Sequence, residues 1–190
     1  FSFRFDSPLD MRMNQSSKLT AKDVVNQYPE KQLADLFYNY GELNNGRRIA
    51  MLIVQAREKK ELKTINDLVT AIEICTPSDQ KHKFMAKVFQ AIRIEVNKEM
   101  TGLKSLLKQA GEVIRKNGRL SVISYHSHED RLVKNYLKTG NFEGKLEKDI
   151  YGNSDTPFKQ LSNKVIVPGE EETENNPRAR SSKLRIAEKI

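Results

Sequence analysis

The chain has 190 residues and a net charge of +8, with 33 basic against 25 acidic side chains. No apolar run approaches the roughly 18 residues of a membrane span, which excludes an integral helical membrane protein. The single cysteine, Cys75, excludes an internal disulfide framework and a cysteine-based zinc site and fits a reducing, cytoplasmic compartment. At 37% apolar and 31% charged residues the chain is polar but too rich in Leu, Ile, Val and Phe to be disordered, and its length suits one domain or a small pair.

Phe1, Phe3 and Phe5 alternate with Ser2 and Arg4, the spacing of a strand or extended loop that Pro8 ends. Core phenylalanines are the expectation, with base stacking as the other reading. Residues 15 to about 76 then read as purely helical. Thr20 with Asp23, and Thr64 with Asp67, have capping-box spacing. Pro29 suits the start of a helix whose stripe is Leu33, Leu36, Phe37 and Tyr40 and which stops at Gly41. Ile49, Leu52, Ile53 and Ala56 form the next stripe; Leu68, Ile72 and Cys75 form another, ended by Thr76-Pro77. From residue 80 to 116 apolar residues recur every three or four positions, a length that predicts a break near Thr101-Gly102.

The period then changes. Asn117-Gly118 predicts a turn, RLSVISY a strand, and Ser127 onward a helix with Leu132, Val133, Tyr136 and Leu137 inward. Residues 138 to 163 read as a long loop and KVIVP (164–168) as a short strand. Asn176-Pro177 starts a second extended piece that pairs with KLRIAEK. A helix feeding a strand is half of an α/β unit, and ligands of open α/β sheets gather at the carboxyl ends of strands. That points to SYHSHEDR, residues 124 to 131.

Basic residues cluster at Arg47-Arg48, at Arg57, Lys59, Lys60 and Lys63, at Lys81, Lys83 and Lys87, and from Arg178 to Lys189. The acidic run Glu170, Glu171, Glu172 and Glu174 stands apart from them. Such clusters fit either a nucleic-acid face or a solvated surface. His126 and His128 on a strand would share a face that a metal could use, but no third spaced ligand is evident, and a substrate pocket using Ser124, His126 and Ser127 is favoured over a metal. Asp10, Arg12 and Asn14 alternate with Met11 and Met13, which would place polar groups on one side of an extended segment. Arg93 and Asn97 share a helix face, with Arg93 either a phosphate binder or a partner for a carboxylate. No GxGxxG, P-loop, HExxH or GxSxG occurs, so residue chemistry alone names no reaction.

Five stretches together carry a resemblance: FSFRFDSPLDMRM (1–13), YGE with RRIA (40–50), VFQAIRIEVNKE (88–99), GRLSVISYHSHEDRLVK (118–134) and ENNPRARSSKLRIAEK (174–189). In that order they resemble the MraW family, the RsmH-type 16S ribosomal RNA (cytosine-N4)-methyltransferases. The resemblance implies an S-adenosylmethionine-dependent enzyme acting on a cytosine N4 amine in the decoding region of the small ribosomal subunit. It implies an α/β fold, a partial Rossmann-like methyltransferase domain with an inserted all-helical domain. The corresponding divisions are 1–14 as the end of the first part of the methyltransferase domain, 15–80 as the RNA-facing insertion, and 81–190 as the return to the α/β domain. Target-base pocket candidates are Asp10, Ser124 and His126; RNA-phosphate candidates are Arg47, Arg48, Lys59, Lys60, Arg178 and Arg180. His128 stands where the family usually has leucine, which further weakens the metal reading. The family's glycine-rich cofactor loop is expected upstream of Phe1, so no cofactor residue is assigned within the chain. If nothing precedes Phe1, negligible methyl transfer and a homodimer covering exposed sheet edges are expected. The competing reading is a non-catalytic RNA- or ribosome-binding module.

Overall fold

A computed structural model describes residues 5–146, 156–162 and 164–190. The chain divides into two compact units, residues 1–99 and 100–190. The first unit is helical: α1 (Ala21–Gln27), α2 (Glu30–Gly41), α3 (Gly46–Lys59), α4 (Ile65–Ile72) and α5 (Lys81–Val96). The two expected capping boxes form. Thr20 and Thr64 each accept from the amide three residues on, while Asp23 and Asp67 reach back to the cap amides. Each such cap is worth about 1 kcal/mol. The predicted stripes face inward: Leu33, Phe37, Ile49, Ile53, Leu68 and Ile72 are fully buried, each contributing about 1.5–3 kcal/mol of apolar burial. Helix α2 ends at Gly41, but the residue that turns left-handed is Glu42, with φ 50°. Helix α4 ends at Ile72 and a 3₁₀ turn carries residues 73–75, so Cys75 leaves the α-helical stripe and lies half-buried.

The core of this unit also takes in residues on either side of 15–80. Leu9 and Met11 are buried in the same core as the helices, and so are Phe84, Met85, Val88, Phe89 and Ile92 of α5. Phe1, Phe3 and Arg4 lie outside the described residues. Phe5 is 74% exposed, against the core role expected for it. The long apolar period breaks at Asn97 and Lys98 rather than at Thr101-Gly102, which lie inside α6 (Glu99–Val113). The cause is local. Asn97 Nδ2 donates to the Arg93 carbonyl, capping α5, and Lys98 turns left-handed at φ 51°.

The second unit holds most of α6, β1 (Arg119–Ser124), α7 (Ser127–Thr139), β2 (Phe158–Gln160), α8 (Glu170–Asn175) and β3 (Lys183–Lys189). The three strands run in the order β1-β3-β2, with both pairings antiparallel. The α/β character is therefore present, with a small antiparallel sheet in the described residues. Val133, Tyr136 and Leu137 of α7 pack with Leu107, Phe158 and Ala187 as its core. Helix α7 ends where Gly140 adopts φ 74°, a conformation an L side chain resists.

Three expectations fail here. The loop expected over 138–163 contains β2, a strand too short for its period to show, although residues 147–155 lie outside the described residues. KVIVP is no strand but a single bridge, Ile166 to Leu184. Asn176-Pro177 opens a 3₁₀ turn (Pro177–Ser181) capped by Asn176, and β3 pairs with β1 and β2 instead of with that segment. Proline at the first position favours such a turn over an extended piece.

Candidate functional site

In the first unit, residues 6–17 form a loop stitched to the helices around it. Leu9 N donates to the Lys63 carbonyl, Ile65 N to Ser7, and the Ala21 and Lys22 amides to Asp10 and Leu9. Asn97 closes the loop from the far side: its Nδ2 donates to the Met11 carbonyl and its Oδ1 accepts from Met13 N at 2.7 Å. Met11 is buried with φ 60°, left-handed for a long side chain, a strain of order 1 kcal/mol held in place by these bonds. The segment is thus not extended, and Asp10 and Arg12 do not simply line one side of it. Arg12 folds back so that Nε and Nη2 meet both carboxylate oxygens of Asp10, at 2.7 and 2.8 Å. Its Nη1 donates to the Gln15 and Ser17 carbonyls. The Arg12 hydrogen bond holds the Asp10 carboxyl below its ordinary range, against a smaller opposing effect of burial. The Asp10 side chain stays 38% exposed, an ionised acceptor open to a ligand.

In the second unit, the carboxyl end of β1 runs into α7. Ser124 is 3% exposed and its hydroxyl donates to the Lys183 carbonyl at 3.4 Å, joining the ends of β1 and β3. His126 caps α7: its Nδ1 accepts from Glu129 N at 3.4 Å, and its Nε2 lies 3.4 Å from Glu129 Oε1. Accepting at Nδ1 places the neutral ring's proton on Nε2, toward the carboxylate. Tyr125 N donates to Glu129 Oε2. The strand ends at Ser124, so His126 and His128 do not share a strand face. His128 is buried with Nδ1 2.9 Å from Arg131 Nη2.

Asp130, 8% exposed, is gripped by Arg185 through Nε at 2.7 Å and Nη2 at 3.1 Å, with Lys183 at 3.4 Å. Burial pushes its carboxyl up, but the two cations outweigh that and hold it below the ordinary range. This pairing across 55 positions left no mark in the sequence.

The basic residues sort by use. Arg47 and Arg48 are exposed in the first turn of α3, and Lys59 and Lys60 are exposed at its other end, about 20 Å away at 1.5 Å per residue. Lys60 is paired with Asp67. Arg57, counted with them in the sequence, instead donates to the Val25 and Tyr28 carbonyls and is structural. Arg93 pairs with Glu99 at 2.8 and 3.0 Å, the second of its two readings. Arg178 and Arg180 are exposed on the 3₁₀ turn of the second unit. The sequence missed Asn97 as the clamp on Met11 and Met13. Its helix face pointed only to Arg93, and its partner lies 86 positions away.

A model of the MraW methylase family matches residues 1–190, end to end. The chain belongs to this family. It is 58% identical over 190 residues to the ribosomal RNA small subunit methyltransferase H of Parabacteroides distasonis. It is 56% identical over 189 residues to that of Bacteroides thetaiotaomicron, and 51% over 190 residues to that of Flavobacterium johnsoniae. The whole chain is covered in each case, and it spans 62%, 62% and 63% of those relatives' lengths.

Proposed function

We propose that this chain is part of an S-adenosylmethionine-dependent methyltransferase that modifies the N4 amine of a cytosine in the decoding region of 16S ribosomal RNA, acting on the small ribosomal subunit. The observation that carries the reading is the end-to-end family match, joined by relatives named ribosomal RNA small subunit methyltransferase H. On this reading residues 15–80 are a helical insertion, and 1–14 with 81–190 belong to a partial Rossmann-like domain. The open side of β1 supports that: among the described residues it pairs with β3 alone, leaving an edge to which further strands can add.

The chemistry sets the demands. The cytosine amine is a poor nucleophile because its lone pair is delocalised into the ring, so the base must be splayed out and the amine oriented. Asp10 meets the second demand: its carboxylate, kept ionised by Arg12, accepts from an amine N–H. A carboxyl held that acidic orients the amine better than it retains the amine's proton. Ser124 and His126 are positioning residues that fix the β1–α7 turn. Arg47, Arg48, Lys59, Lys60, Arg178 and Arg180 are the phosphate contacts we infer. The β1–α7 turn itself does not fit the cofactor. It has no glycine to admit a ligand close to the backbone, and the Tyr125 and Glu129 amides are already bonded. We infer that the cofactor contacts lie in the part of the relatives' length that this chain does not span.

The test is methyl transfer by the whole protein to small subunits lacking the modification, with nucleosides resolved by mass spectrometry. N4-methylcytidine is the expected product. Stoichiometric RNA binding with no methylated cytidine would replace the enzyme by a non-catalytic binding module.

A further inference from the structure

We propose that the groove between α2 and α3 holds one unstacked nucleotide of single-stranded RNA, with its base on the Tyr38 ring and its phosphate on Arg47. The proposal rests on the RNA-directed reading above and adds a subsite on the helical unit whose lining includes no residue of the Asp10 loop.

The groove is a cavity of about 510 Å³ lined by Ala34, Asp35, Tyr38, Asn44, Gly46 and Arg47. That volume lies within the roughly 300–1,000 Å³ of small-ligand clefts. Tyr38 is 63% exposed, although Leu33, Leu36 and Phe37 beside it on α2 are buried. A single exposed aromatic ring is ordinary. Its surroundings are not.

Arg47 and Arg48 stand in the first turn of α3, where cations oppose the helix dipole, and no side chain caps that helix. Among the described residues no carboxylate is paired with Arg47. The one acid in the groove, Asp35, is paired with Lys31 at 3.2 Å. A bound phosphate would relieve the unfavourable charge at this end of α3.

Gly46 brings the walls together. A Cβ there would sit 2.9 Å from the Ala34 carbonyl and 3.2 Å from Tyr38 N, so its absence lets α3 press against α2 beside the ring. Asn44 supplies an amide able to donate and accept, as a base edge requires. Ring, guanidinium and amide in one cleft are the components of single-strand recognition. The larger groove of about 670 Å³ near Lys59, Lys60 and Lys63 has no aromatic ring, and two of those lysines are paired with Asp67 and Glu61.

The test is fluorescence anisotropy of a labelled ten-nucleotide single-stranded RNA with the full chain, over a salt series. Tyr38→Ala is expected to weaken binding about 5- to 100-fold with the salt slope unchanged. Tyr38→Phe keeps the ring and is expected to match the wild type, whereas Tyr38→Leu, of similar bulk, behaves like Tyr38→Ala. Arg47→Ala weakens binding and lowers the slope by about 0.7, one single-strand phosphate. The proposal is overturned if the wild type does not bind, if Tyr38→Ala stays within twofold, or if Tyr38→Phe is as weak as Tyr38→Ala. Methyl transfer by the whole protein is read separately. Loss of that activity alongside Tyr38-dependent binding would sink the enzyme and leave the subsite; the opposite pattern would sink only the subsite.

Discussion

Asp67 shows how much one side chain can carry. It accepts from the Lys63 and Thr64 amides, closes the capping box of α4 and pairs with Lys60. Those hydrogen bonds, from Lys63 first and then Lys60 and Thr64, push its carboxyl down to about 2. A depressed carboxylate stabilises the fold above its unfolded value of about 4, and that stabilisation is lost as pH falls through the folded value. Unfolding by denaturant at a series of pH values should therefore show stability falling between about pH 4 and about pH 2. Asp67→Asn should flatten part of that fall, and an unchanged slope would remove Asp67 from the account. The Thr64–Asp67 spacing made this residue legible in advance. Asp130 was not, because its value comes from Arg185, far along the chain and brought near only by the β1–β3 pairing.

At the level of elements, the sequence was readable where one period ran long enough. The helices of the first unit announce themselves through buried triads such as Leu33, Leu36 and Phe37. It misled where a side chain far away decided the outcome. The break after α5 falls at Asn97 because that amide serves both Arg93 and the Met11–Met13 loop; Thr101-Gly102, the locally weaker point, stays helical. Strand β2 escaped notice because three residues show no alternation, and its burial of Phe158 is set by α7 and β3. Of the site, the Asp10 loop and the β1–α7 turn are visible as motifs, whereas the Arg12 fold-back and the Tyr38 groove exist only once the chain has folded. The break itself is testable. Lys98 holds φ 51°, so Lys98→Gly should stabilise the chain by up to about 1 kcal/mol, seen as a higher denaturant midpoint at unchanged slope. A lower midpoint would mean that the Lys98 contact with Glu95 outweighs the strain.

For the molecule as a whole, a net charge of +8 makes the proposed RNA binding salt-sensitive, and the exposed pair at the start of α3 is where part of that sensitivity is expected to reside. Replacing Arg47 and Arg48 together by Ala should lower the salt slope of single-strand binding by about 1.4, two phosphates' worth. An unchanged slope would take the helical unit off the RNA face. No helix among the described residues is long and apolar enough to cross a membrane. The sheet of the second unit has a further consequence for how the protein is made. Its middle strand, β3, is translated after both of its neighbours, and the Ser124–Lys183 contact spans 59 positions. On the ribosome neither the β1–β3 nor the β2–β3 pairing can form until β3 clears the exit tunnel, so these pairings form late, while the helical unit, already emerged, is free to fold during synthesis.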